Sequence, residues 1–122
     1  MKKYQFDQRP ELVEMEGATV RINFDVEEVE QTLPPMGDEE PVVKTVFEAY
    51  VVRVQQPVDR SKVIDAIVTA EYPNDRMQAV VNNYLANQKD AERKQEFNDM
   101  QNWRAHAKEV ATEAIEALSA AE

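Results

Sequence analysis

The sequence predicts an α+β fold: a small antiparallel three-stranded β-meander followed by three α-helices, the last of them long. Three observations carry this. Val20, Ile22, Phe24 and Val26 alternate with Arg21, Asn23 and Asp25, which is the period of a half-buried strand. After Pro57 the apolar spacing changes to steps of three and four, the period of a helix. From Asp90 to the end there is neither proline nor glycine. The 122 residues are read as one domain, 1–122, with a β-rich part over 1–58 and a helical part over 59–122. A chain of this length can bury about two thirds of its unfolded surface without a disulfide or a metal.

Taken in order, Met1 to Asp7 has two lysines but meets Asp7 before any apolar run, so it reads as no secretion signal. Leu12, Val13 and Met15 lead to Glu16-Gly17, where a turn pairs residues 11–15 with 18–26 as a hairpin. Val42 to Val54 is dense in β-branched and aromatic residues on both parities and is expected to be a central strand. Between these strands, 27–41 carries Glu27, Glu28, Glu30, Asp38, Glu39 and Glu40, a Pro34-Pro35 pair and no lysine or arginine. Like charges and prolines predict a solvated acidic loop there. It lacks the alternating aspartates and glycine of a calcium loop.

Asp59 caps a first helix to about Glu71, with Val63, Ile64, Ile67 and Val68 on one face. Tyr72-Pro73-Asn74-Asp75 breaks it and begins a second, to about Asn87, with Met77, Val80, Val81, Tyr84 and Leu85 as its stripe. The third runs from Asp90 almost to the C-terminus through Phe97, Met100, Trp103, Ala107, Val110, Ala111, Ala114, Ile115 and Leu118, and 91–120 is its full possible extent. Thirty helical residues make a rod of about 45 Å, longer than a chain of this size is wide, so one end is expected to project. The alanine-rich end, with Ala111, Ala114, Ala117, Ala120 and Ala121, is the expected one, having high propensity and little to bury.

The chemistry-bearing residues assemble no recognisable active site. There is no cysteine, which excludes thiol nucleophiles and cysteine-held metals. Gly17 and Gly37, the two glycines, lie in no phosphate-binding loop. His106, the one histidine, shares a helical face with Glu109 and Glu113, half of a carboxylate–histidine metal site whose other half is missing. It reads as a surface or boundary histidine. Ser61 and Ser119 sit in no glycine-flanked elbow and make no triad with it. Catalytic, cofactor and metal residues are therefore predicted to be none. Net charge −10 disfavours direct contact with nucleic acid or anionic membrane, and no run reaches the 18 to 20 apolar residues of a spanning helix. Tyr84, Phe97 and Trp103 either fill the helical core or serve an interface, and Tyr84 and Trp103 are the candidate partner-binding residues.

Val63-Ile64-Asp65-Ala66-Ile67-Val68, Glu71-Tyr72-Pro73, Met77-Gln78-Ala79-Val80-Val81 and Glu96-Phe97-Asn98-Asp99-Met100-Gln101, with Trp103 and Ala107-Lys108, form an ordered set. This set resembles a helical module of prophage and tailed-phage proteins, found in tail-accessory, tail-fibre and tail-fibre-assembly-like chains. The resemblance covers residues 62–111 and rests on core and cap positions. It implies a noncatalytic phage or prophage protein, tail-associated or active in tail assembly, whose partners are other protein chains, a second copy included. It implies residence in the host cytoplasm or the virion. The module has no catalytic residue to carry over and no counterpart of the acidic segment 27–41. Two other functions fit the composition less well. An acidic mimic of DNA would need carboxylates in one unbroken stripe, whereas Arg21, Lys89, Arg93, Lys94, Arg104 and Lys108 intervene. A small metal-dependent carboxylate enzyme would need a cleft that the chain does not advertise.

Overall fold

The computed structural model describes residues 1–35 and 37–120. Seven elements follow one another: β1 (Tyr4–Phe6), β2 (Val13–Glu16), β3 (Thr19–Leu33), β4 (Val42–Gln55), α1 (Arg60–Glu71), α2 (Asn74–Ala86) and α3 (Ala91–Ala120). The class is α+β, with the helices after the strands and the last one long.

The sheet has four strands rather than three, in the order β1-β4-β3-β2, all antiparallel. The additional strand, β1, is three residues long and pairs Tyr4 with Ala49 and Phe6 with Phe47. Three residues are too few to show alternation, which is why the pattern does not announce it. β2 and β3 form the expected hairpin, with Gly17 at φ 61 in the turn, a conformation that glycine adopts without steric cost. β4 is central, as its two-sided apolar run requires.

The acidic segment departs further from expectation. Residues 27–33 are not loop but the second half of β3, laddered from Glu27↔Glu48 to Leu33↔Val42. Like charges do not prevent this, because successive side chains leave a strand on opposite faces. Glu28 faces Phe47 and Glu30 faces Thr45, while the Glu27–Glu48 opposition is relieved by Lys3, whose Nζ lies 2.9 Å from Glu27 Oε1. Between Phe24↔Tyr50 and Glu27↔Glu48 the register slips: Asp25 and Val26 stand opposite the single residue Ala49, a β-bulge.

The helices cover one face of the lower sheet. Val20, Ile22 and Phe24 of β3 and Val52 and Val54 of β4 meet Val63, Ile67 and Val68 of α1 and Ala107, Val110, Ala111 and Ala114 of α3 in one core. A second, smaller cluster joins Tyr72 and Val80 to Met100 where α2 packs on α3. Asp59 caps α1, its Oδ1 accepting the Lys62 amide at 2.8 Å. Asp75 stands in the first turn of α2, where its charge favours the positive helix end.

The alanine-rich end of α3 does not project. Ala107, Ala111 and Ala114 are fully buried, and Ile115 and Leu118 pack against the same core. A methyl group allows two helix axes to approach closely, and the closest neighbour of α3 is α1, so alanine here buries backbone rather than side chain. Ala121, assigned to the same end, lies outside the described residues.

Candidate interaction surface

Beyond the bulge, β3 and β4 leave the helical layer and continue as a two-stranded arm. Every described residue from Glu30 to Thr45 is exposed, including Leu33 and the Val42-Val43 pair at 58% each. The arm's edges are unpaired over most of their length: β2 pairs only Thr19–Ile22 of β3, and β1 only Phe47–Ala49 of β4. Across this arm Glu27, Glu28, Glu30, Asp38, Glu39, Glu40 and Glu48 face a single base, Lys44, which is held 3.0 Å from Asp7. Among the described residues no cation stands within ion-pairing distance of Glu28 or Glu30. A ribbon of two strands is marginal by itself in water, and its free amides and carbonyls are a template for another strand.

The bulge ties the foot of the arm to α3. Asp25 adopts φ 54, a left-handed conformation that costs a non-glycine residue about 1–2 kcal/mol. The turn carries its carboxylate to the His106 imidazole, with Nε2 2.7 Å from Oδ1 and 2.9 Å from Oδ2. A carboxylate only accepts, so the proton of this contact sits on Nε2. Lys3 donates to the Asp25 carbonyl at 2.8 Å from the other side. His106 is thus a boundary residue, half-buried, with Nδ1 3.8 Å from Glu109 Oε2.

A shallow groove of about 250 Å³ opens beside this contact, lined by Leu12, Asn23, Asp25, His106, Glu109 and Glu113 among others. Asn23 is the one fully buried polar residue of the described chain, at 1% exposure. Its amide nitrogens are spoken for: the backbone N–H donates to the Leu12 carbonyl at 2.9 Å, and Nδ2 to the Glu11 carbonyl at 2.7 Å. Its Oδ1 accepts nothing. Asn23 and Asp25 escaped the sequence reading because their parity assigns them to solvent. A signal did exist: the apolar positions run even from Val20 to Val26 and odd from Val29 to Leu33, and a change of parity within one strand marks a bulge.

Trp103 and Tyr84 lie apart on the helical layer. Trp103 is half-buried, its indole N–H donating to the Ile67 carbonyl at 3.0 Å and its ring standing edge-on to Tyr50 at 5.8 Å. Phe24 and His106 complete this aromatic group, at 6.1 and 6.0 Å from Trp103. Its polar handle is satisfied inside the protein, and what it offers outward is ring surface beside Glu71, Asn102 and His106. Tyr84 stacks on Phe97 with centroids 4.3 Å apart and planes 11° off parallel, near the exposed Leu85 at the end of α2. The two candidates therefore belong to different surfaces.

Among the described residues no three His, Asp or Glu side chains converge as a metal-binding group, and no helix is long and apolar enough to cross a membrane. No family model matches the chain, nor does any curated protein or any solved structure.

Proposed function

We propose that this chain is a noncatalytic protein-interaction module of phage or prophage origin, working in a tail or its assembly. The observation that carries the interaction reading is the arm from Glu30 to Thr45, an exposed two-stranded ribbon with unpaired edges that contributes nothing to the main core. An element so built gains by accepting a strand from a neighbour, with main-chain hydrogen bonds giving affinity and alternate side chains giving selectivity. The aromatic surfaces at Trp103 and at Tyr84 offer further contact area on the rigid helical layer. The negative field of the arm steers it toward basic surfaces. The tail setting is supported by the resemblance of residues 62–111 alone.

The test removes the arm without disturbing the fold. Val29 and Val46 are register partners, so replacing residues 30–45 by Asn-Gly closes the hairpin with a two-residue turn. The full chain, used as bait in phage-producing cells, should retain virion or assembly proteins, and the shortened chain should lose them while keeping its far-ultraviolet circular dichroism. Retention of no such protein by the full chain, or equal retention by both, overturns the reading.

A further inference from the structure

Resting on the interaction reading, we infer that the arm's partner is an extended, basic segment of another protein, which adds along the free edge of β3 and brings an arginine or lysine to the carboxylates of Asp25, Glu109 and Glu113. Two independent features meet at one place. The free edge of β3 begins after Asn23, whose amide still reaches the Leu12 carbonyl, and the groove lies at that point, lined by Asp25 and Val26 of β3 itself. A strand that continues the sheet alongside Glu27–Leu33 thus has its end over the groove.

The groove's chemistry selects a cation. Its ionisable lining is Asp25, Glu109, Glu113 and His106, and Lys3, which reaches the Asp25 carbonyl, is held by Glu27. Among the described residues Glu113 has no ion-pair partner, and Glu109 has only the long contact to His106. Leu12, Phe24, Val26 and Val110 give the aliphatic stem of such a side chain an apolar wall.

Charge also chooses between partners. Glu27, Glu28 and Glu30 along the edge would face their own copies in a self-paired dimer, and like charges across a ladder are destabilising. The same carboxylates attract a strand bearing arginines, so the acids act as a filter that blocks self-pairing and admits a basic partner.

The test uses the full 122-residue chain and a defined probe, the peptide acetyl-Thr-Arg-Val-Arg-Val-Thr-Arg-Thr-amide, followed by fluorescence anisotropy and by amide chemical shifts. Saturable binding is expected, with shifts at residues 23–33 and at 106–113. Glu109→Gln with Glu113→Gln, two exposed changes that leave the fold intact, should weaken it about tenfold, equivalent to about 1.4 kcal/mol. Methylating alternate peptide nitrogens, which removes ladder donors and keeps every charge, should abolish it. The inference is overturned by undiminished binding of the methylated peptide, by equal binding of a version with glutamate for arginine, or by shifts confined elsewhere. It is likewise overturned by a concentration-dependent dimer in sedimentation that disappears when residues 30–45 are replaced. If the peptide does not bind while the arm still retains virion or assembly proteins, this inference fails and the broader interaction reading stands.

Discussion

The two halves of the β3–β4 hairpin share a backbone geometry and differ in everything else. Below the bulge, Val20, Ile22 and Phe24 oppose Val54, Val52 and Tyr50 under the helices, and five of these six are buried. Above it, Glu30 to Leu33 oppose Val42 to Thr45 with every residue exposed. Hydrogen-bonded pairing alone accounts for neither the rigidity of the first nor the availability of the second. What separates them is whether a helix covers one face, and the change occurs at the two-residue bulge that turns Asp25 toward α3.

The contrast can be broken or sharpened by substitution, with chemical denaturation as the common measure. The largest effect is expected below the bulge. Ile22→Ala empties a fully buried site between sheet and helices and should cost about 2–5 kcal/mol, read as a lower urea midpoint at unchanged slope. A loss under 1 kcal/mol would mean that the foot is no better packed than the arm.

At the junction, Asp25→Ala removes both hydrogen bonds to His106 and leaves an alanine in the left-handed region. A loss of about 2 kcal/mol is expected from the two together. Asp25→Gly separates them: it also loses the imidazole contact but restores backbone freedom, and should recover about 1 kcal/mol of the difference. If glycine and alanine behave alike, the φ of 54 is not a strained position. Trp103→Phe keeps an aromatic ring in the cluster and deletes the donor to Ile67, for an expected loss of about 1 kcal/mol and little change in peptide binding at the arm. The smallest effect belongs to the arm itself: Val43→Ser, at an exposed position, should stay within about 0.5 kcal/mol of the parent.

Much of the fold was legible because period and punctuation agreed. The three helices begin and end where Asp59, Pro73 and the Asn87–Asp90 break place them, and β4 is central as its apolar run on both parities demands. What escaped reading has physical causes. β1 owes its strand state to pairing with Phe47–Ala49, a long-range contact that three residues cannot encode locally. Glu27–Leu33 has the charge of a loop, yet a strand that is largely exposed has no reason to avoid charge. The burial of Ala111 and Ala114 inverted the expectation that small side chains mark a projecting end, although Ala117 is half-buried and Ala120 exposed. Of the interaction surface, the acidity of 27–41 and the Glu109–Glu113 spacing around His106 were visible. The meeting of His106 with Asp25, 81 residues apart in the chain, was not.

Where α3 lies against α1, small side chains at 107, 111 and 114 allow the two helices to approach closely. Descendants of this chain should accordingly keep small residues at 107, 111 and 114, since a larger group would wedge the helices apart, while the ribbon above the bulge drifts freely in sequence. Evolution could retarget such a protein to a new neighbour by rewriting about a dozen exposed positions without reopening the problem of how the chain folds.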